Sequence, residues 1–399
     1  MGISIGLVGL GAFGKSFADL FKKHPAVDRV ALCDREPERV ASFAERDDWK
    51  DKFNPRDAYF SLDDICRSDL DALVIITQPS LHAPQCLQAL ASGKHVYSAV
   101  PISCVPDGDE ILDACNQLVE ACERTGLRYM LGETTYYHPE SMFCRRKAAE
   151  GAFGDFVYAE GEYYHDLDSS CSLRQVSKRR AASAAGKEWT SKAAQYWERG
   201  ILSGPMHYPT HSTSGPVCVM GAHAVNVTAH GFVNRNDDPY FSHYAFSNEV
   251  ALFKMSNGST VRICEFREVA RGGREAFNVM GTRGSYLDGT WQENGWSAPL
   301  TAEPLSVTKL SVEEMRDPLP PDVADAWRTT SGDSVAYGGH GGSHAYLVHE
   351  FVDAIATGRQ PAINIWEAAR YMAMGVMAHK SALRDGETLA VPDWGGAPA

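Results

Sequence analysis

Tyr208 and His211 stand in the run YPTHSTSGP, residues 208–216, which is rich in glycine, serine, threonine and proline. Both side chains exchange protons, histidine near an ordinary pKa of ~6.5 and tyrosine near ~10. A packed helix or strand has no need of such a run. The sequence therefore predicts a stiff loop, restricted by Pro209, that aims both side chains at one site. His207 and His211 have the spacing of a helical metal pair, but Pro209 between them speaks against that pairing, and no metal is expected. His340 is flanked by Gly338, Gly339, Gly341 and Gly342, which suits close backbone approach to a ligand or a hinge. LRQVSKRR places Arg174, Lys178, Arg179 and Arg180 within seven residues, either a solvated charge run or a clamp for an anion. No GxSxG nucleophile elbow on a strand–helix turn is present, which argues against a Ser-His-Asp hydrolase.

What an acid–base set does depends on what it is held against. GLGAFG supplies Gly9, Gly11 and Gly14 in G-x-G-x-x-G spacing, directly after a strand-like run and at the start of a helix-like one. Gly9 permits the tight turn, and Gly14 lets helix and strand pack closely. Gly11, with Ala12 and Phe13 beside it, lets a pyrophosphate reach the helix N-terminus. Asp34 follows Gly14 by 20 residues, at the end of the second strand. Its carboxylate suits the adenosine ribose hydroxyls and would repel a 2′-phosphate, which favours NAD. Arg35 beside it would instead favour NADP if its guanidinium met that phosphate.

Those residues need elements to position them. ISIGLVGL, VDRVALCD, LDALVIITQP and HVYSAV read as buried strands, separated by helix-like KSFADLFKKHP, a helix from Pro37 and APQCLQALASGK. This alternation implies a doubly wound parallel sheet. From about Ala152 the pattern becomes strands joined by turns, with SNGS and TRGS as hairpin signals. Residues 1–131 are expected to form an NAD-binding domain. Residues 132–399 are expected to form an α+β substrate-binding and oligomerisation domain with a large open, mostly antiparallel sheet. Residues 171–207 read as an inserted loop and 344–385 as terminal helices, with Gly358 and Asn364 as cap signals. The chain of 399 residues is 44% apolar and 22% charged, with a formal charge of −13. That balance disfavours nucleic acid and anionic membranes. No apolar run of ~18 residues predicts a span. Ten scattered cysteines, none in CxxC, and an N-terminus without signal-peptide character point to the cytoplasm.

GLVGLGAFG, ALCDREPERV, VIITQPSLHAPQCLQALASGKHVYSAVP and the later strands resemble the Gfo/Idh/MocA family of two-domain nicotinamide-dependent proteins acting mostly on sugars and cyclitols. The resemblance implies that Thr77, Gln78, His82 and Ser98 line the cofactor. Where the family's dehydrogenases usually carry Glu-Lys-Pro, this chain has Ala99-Val100-Pro101 and so lacks the lysine that helps move the hydroxyl proton. GEYYHDL, YPTHSTSGPV and GGHGGSHAYL resemble segments of the branch that includes NAD-dependent glycosidases. The α-N-acetylgalactosaminidases resemble it best, and sulfoquinovosidases belong to the same superfamily. That resemblance marks Tyr163, Tyr208, His211 and His340 as catalytic, with Glu133 beside the nicotinamide and His165 on the substrate side. It implies hydrolysis by transient oxidation at C3, with Tyr163 removing the C2 proton and His211 or His340 serving the C3 hydroxyl. An anionic sugar such as a sulfoquinovoside would use Arg174, Lys178, Arg179 and Arg180. An NAD-dependent sugar or inositol dehydrogenase, with His211 in place of the lysine, is the alternative, and a sugar sensor is a third class. The resemblance also implies a homodimer or homotetramer.

Overall fold

The computed structural model describes residues 2–165, 167–168, 172–294, 305–329, 331–332 and 334–398. The N-terminal sheet holds β1 (Ile3–Val8), β2 (Val27–Cys33), β3 (Ala58–Tyr59), β4 (Ala72–Ile75), β5 (His95–Ser98) and β6 (Tyr129–Leu131) in the order β3-β2-β1-β4-β5-β6. All pairings are parallel. Helices cover both faces of such a sheet, so its strands read as unbroken apolar runs; every residue of β4 is buried. Helices Ala12–Lys23, Pro37–Ala44, His82–Ala91 and Gly108–Thr125 lie between the strands. The glycine loop after β1 sits where strand order reverses, between the loops after β2 and β4, which is the ligand-binding position of a doubly wound sheet.

The second sheet holds β7 (Phe156–Tyr164), β8 (Ala224–Phe232), β9 (Asn248–Met255), β10 (Thr260–Phe266), β11 (Arg274–Gly281), β12 (Gly284–Leu287), β13 (Thr290–Glu293), β14 (Ser306–Lys309) and β15 (Leu389–Ala390). Their order is β14-β13-β12-β11-β7-β10-β9-β8-β15. Only β7 and β10 run parallel; the other neighbours are antiparallel. SNGS joins β9 to β10, and TRGS leads from β11 into β12. Helices Thr210–Met220 and Ile365–Ala382 pack on one face of this sheet. The expected caps form: Gly358 closes helix Ser343–Thr357 in the left-handed region at φ 75°, and Asn364 accepts from the Glu367 amide at 3.2 Å. Among the described residues, no helix is long and apolar enough to cross a membrane.

Two expectations need correction. The segment 171–207 is not a loop but carries helices Leu173–Ala182 and Ala184–Glu198. Ser172 and Ser183 cap them by accepting from the Gln175 and Gly186 amides, and Ala-rich sequence propagates them. Cys171 lies outside the described residues. YPTH is not a loop either. Pro209 is the cap of helix Thr210–Met220, and His211 sits in its first turn. The Ser212 and Thr213 hydroxyls bond back to the Pro209 carbonyl at 3.0 and 2.9 Å.

Candidate active site

Helix Thr210–Met220 is buried almost throughout, although its first half is made mostly of small polar residues. Small size is what the site requires. Gly161 in β7 has no side chain, and a Cβ there would stand 1.8 Å from the Ser212 carbonyl oxygen. The helix therefore lies directly on the strand. His211 comes to rest with its ring centroid 4.8 Å from Tyr163 and 5.6 Å from Tyr208. His340, on the turn before helix Ser343–Thr357, stacks 6.5 Å from His211. Phe13, one residue from Gly14, touches the His340 ring at 5.8 Å. Side chains from four distant segments thus converge beside the glycine loop. His207 is not among them; it is buried against His379, 4.5 Å away.

The cluster is strongly polarised. His211 Nδ1 lies 2.9 Å from Glu133 Oε1 and 3.5 Å from Glu275 Oε1. Burial opposes a charge on this ring, but the Glu133 and Glu275 carboxylates hold its pKa up to about 9. Glu133 is fully buried and kept below the usual carboxylate range: burial acts against its charge, and the His211 ring outweighs it. These three groups could also gather round a cation, but an imidazolium between the carboxylates already supplies the positive charge. The ordinary histidine pKa expected from sequence is therefore corrected: at neutral pH His211 is mostly an acid.

His340 has a different environment. The Gly339 amide donates to His344 Nδ1 at 3.2 Å, so neutral His344 carries its proton on Nε2 and offers it to His340 Nδ1, 3.0 Å away. Neutral His340 then presents an N–H, a donor rather than a base, at Nε2. Burial, with the charge on His211 adding to it, holds His340 below the ordinary range. Tyr208 donates its hydroxyl to the Val100 carbonyl at 3.2 Å. It thus sits against the position where the family's lysine is absent. Burial pushes the Tyr208 phenol up. Burial likewise raises Tyr163 well above 10, opposed by the Arg267 guanidinium 5.0 Å from its ring. His165 is 5.8 Å from Tyr163 and bonds through its amide to the Phe266 carbonyl at 3.0 Å.

Three residues of this site, Glu265, Arg267 and Glu275, escaped the sequence reading. Glu265 accepts from the Ser212 hydroxyl and pairs with Arg267 at 2.8 Å. Burial lifts the Glu265 carboxyl to about 7, against the pull of Arg267. Glu275 accepts from the Thr135 hydroxyl and lies 3.6 Å from His138. A signal existed: alternation along β10 and β11 puts Glu265 on the face of Val261 and Ile263, and Glu275 on the face of Phe277 and Val279. A carboxylate on a core face needs a reason. A cavity of about 770 Å³ opens at Thr135, His138 and Glu275 and is lined further by Glu160, Glu162 and Arg274.

The cofactor residues divide into those that face the crevice and those that brace it. Gly9 has φ +93°, where a Cβ would strike the Ile76 carbonyl, and a Cβ on Gly14 would stand 1.9 Å from the Gly9 oxygen. Gly11 faces open space. Helix Ala12–Lys23 begins there with no side-chain cap and no acid in its first turn. Its free amides suit a pyrophosphate, so the residues present fit a dinucleotide. Asp34 accepts from the Leu10 and Glu36 amides at 2.7 and 2.9 Å, and Arg39 reaches both of its oxygens at 3.4 Å. Arg35 is held by Glu188 through two bonds of 2.7 and 2.9 Å. Thr77 Oγ1 donates to Gln85 at 2.5 Å. His82 and Ser98, also expected to line the cofactor, are engaged with backbone carbonyls. His82 is buried, with Nδ1 2.8 Å from the Pro101 carbonyl and Nε2 3.3 Å from the Thr77 carbonyl, and burial lowers its pKa to about 4. Ser98 is fully buried and donates to the Ala99 carbonyl at 2.9 Å. Both position the loops that carry the crevice. Nor do the four basic residues form a clamp: Arg174 pairs with Asp168 and Asp238, while Lys178, Arg179 and Arg180 are exposed at different angles round their helix.

Comparison with known proteins adds to this geometry. Residues 3–133 match the family described as oxidoreductase family, NAD-binding Rossmann fold (GFO_IDH_MocA), and residues 248–397 match the glycosyl hydrolase 109 C-terminal domain. The chain joins a Gfo/Idh/MocA NAD-binding domain to a glycosyl hydrolase 109 C-terminal domain. The glycine loop, Asp34 and Thr77 lie in the first domain; Glu265, Arg267, Glu275 and His340 lie in the second. A glycosyl hydrolase family 109 protein of Streptomyces niveus is 25% identical over 434 residues, covering 98% of this chain and 77% of that one. An alpha-N-acetylgalactosaminidase of Shewanella oneidensis is 26% identical over 224 residues, covering 54% of this chain and 43% of that relative, so the match spans less than half its length. Levoglucosan dehydrogenase in complex with NADH and levoglucosan superposes with a TM-score of 0.72 at 16% identity, over 98% of this chain and 100% of that one. Scyllo-inositol dehydrogenase from Lactobacillus casei with NAD(H) and scyllo-inositol gives 0.65 at 16%, over 98% and 99%. These two share the fold.

Proposed function

We propose that this chain is an NAD-dependent glycoside hydrolase that cleaves a glycosidic bond by transient oxidation at C3. The observation that carries the reading is the convergence of Tyr163, Tyr208 and the Glu133–His211 pair beside the glycine loop, where Val100 replaces the family's lysine. Bound NAD supplies a hydride acceptor at C3 and returns the hydride at the end. The neutral form of His211 accepts the C3 hydroxyl proton at Nε2 while Nδ1 stays on Glu133, and it gives the proton back in the final reduction. Tyr163, with Arg267 beside its ring to stabilise a phenolate, removes the C2 proton made acidic by the C3 ketone. The C1 substituent then leaves, water adds across the double bond, and His340 donates hydrogen bonds from Nε2. Tyr208 orients the sugar.

The finer reading is an anionic sugar such as a sulfoquinovoside. Its support is the place of Arg180 at the crevice, where its carbonyl accepts from Gln78 Nε2 at 3.4 Å. The cavity beside Glu275 carries five carboxylates against two arginines, Arg271 and Arg274, so a sulfonate suits the Arg180 side better. Residues 1–131 serve as the cofactor domain and 132–399 as the substrate and oligomerisation domain. Exposed Phe232 and Leu252 on the second sheet favour a homodimer or homotetramer, and the unbridged thiols among the described residues favour the cytoplasm.

Incubation with neutral and anionic aryl glycosides in D₂O tests the reading. A glycosidase releases aglycone without net NADH and places deuterium at C2. NADH accumulation with free sugar would establish the dehydrogenase instead, a reading favoured by the same His211–Glu133 pair acting alone as the base.

A further inference from the structure

The hairpin of helices Leu173–Ala182 and Ala184–Glu198 lies between β7 and β8 in the chain, yet it docks on the nucleotide-binding domain. Gln78 Nε2 donates to the Ser183 hydroxyl at 3.2 Å and to the Arg180 carbonyl at 3.4 Å. Arg35 forks onto Glu188 at 2.7 and 2.9 Å. Tyr196 donates to Glu110 at 2.5 Å, and Arg199 lies 3.9 Å from Asp107. Gln78 follows β4 and Arg35 follows β2, while β1 and its glycine loop lie between those strands. A dinucleotide runs across the ends of these strands, with its pyrophosphate at the glycine loop. A segment bonded to both Gln78 and Arg35 therefore passes over the crevice from one lip to the other. Ser183 and Glu188 are five residues apart on one helix, about 7.5 Å along its axis.

The charges at the β2 end supply a second observation. Arg35 and Arg39 are the guanidinium groups beside Asp34, where an adenosine ribose would lie. Arg39 is held by Asp34 and Arg35 by Glu188. A 2′-phosphate is recognised by a guanidinium that is free to fork onto it.

We propose that the 173–198 hairpin is a strap across the cofactor crevice and that Glu188 is its specificity-determining residue. Its pair with Arg35 latches the strap and withholds that guanidinium from a 2′-phosphate. The strap rests on the NAD-binding domain and not on the glycosidase reading. Side chains of the pair are 53% and 61% exposed, so the latch is weak and screened by salt.

The test uses the full chain, with Glu188→Ala and Arg35→Ala, and no glycoside. NADH release is followed by its fluorescence after a chase with excess NAD⁺, and the affinities for NAD⁺ and NADP⁺ are measured by calorimetry. Glu188→Ala should release NADH about 2–5-fold faster, the range of an exposed ion pair. It should also improve NADP⁺ binding relative to NAD⁺ by about 2–5-fold, because freeing Arg35 returns what the exposed pair was worth. Arg35→Ala should release NADH faster by a similar factor but gain nothing for NADP⁺. Rising ionic strength should speed release from the wild type and leave Glu188→Ala nearly unaffected. Unchanged release in both variants would overturn the strap, and an unchanged NADP⁺/NAD⁺ ratio in Glu188→Ala would overturn the specificity role. Neither result depends on whether a glycoside is cleaved.

Discussion

Replacing Glu133 by glutamine should move the pH dependence of chemistry at His211 downward. The variant keeps the oxygen that accepts from the Thr135 amide at 2.9 Å and removes only the charge. Glu133 Oε2 has no hydrogen-bond partner, so no bond is lost where the new amide nitrogen stands. His211 is held up to about 9 from an ordinary 6.5, so at pH 7 about one ring in a hundred is neutral, against about three in four at the ordinary value. Only the neutral ring can accept the C3 hydroxyl proton. Single-turnover reduction of bound NAD, read by absorbance, should therefore rise about tenfold per pH unit in the wild type and level off near pH 9. An opposite charge at this range moves a pKa by about 1–3, so the Glu133→Gln plateau should begin that much lower. Glu275 and, farther off, Glu265 still favour the charged ring in the variant, while His340 opposes it; Arg267, Tyr163 and Tyr208 are unchanged. A bound cationic nicotinamide would lower both midpoints together, so the comparison between the two proteins isolates Glu133. The sign for stability follows from the raised pKa. The charged ring's contribution is complete below pH 6.5 and is lost as pH rises through about 9. Thermal melts of the variant should show that decline smaller and at correspondingly lower pH. The same midpoint in both proteins, or a wild-type midpoint near 6.5, would refute the reasoning.

Tyr163→Phe should slow aglycone release by about 10²–10⁴ and suppress deuterium entry at C2, with NAD affinity intact; normal exchange would move the base to Tyr208. Gly161→Ala should destabilise the fold by about 1–3 kcal/mol in denaturant titrations, because the Ser212 carbonyl that its Cβ meets is backbone and cannot swing away. An unchanged midpoint would mean that the helix can lift off the strand without loss.

The parallel sheet and its glycine loop were legible in the sequence because their signals are local. Gly9, Gly11 and Gly14 need only a strand before them and a helix after them, and continuous apolar runs disclose strands covered on both faces. Asn364 and Gly358 act within one helical turn, so their caps could also be read directly. The acid–base character of Tyr208 and His211 is equally a property of residue type. What His211 does with its proton is not. Its pKa is set by Glu133 and Glu275, which stand 78 and 64 residues away in the chain and meet it only because Gly161 lets a helix rest on a strand. The tautomer of His340 likewise depends on an amide donated to His344. Arg35 shows the same division: its type suggested a phosphate ligand, but its partner Glu188 lies 153 residues on, in a segment whose composition read as a loop. Charge and proton position depend on which groups burial brings within a few ångströms, and that distance is decided by tertiary packing.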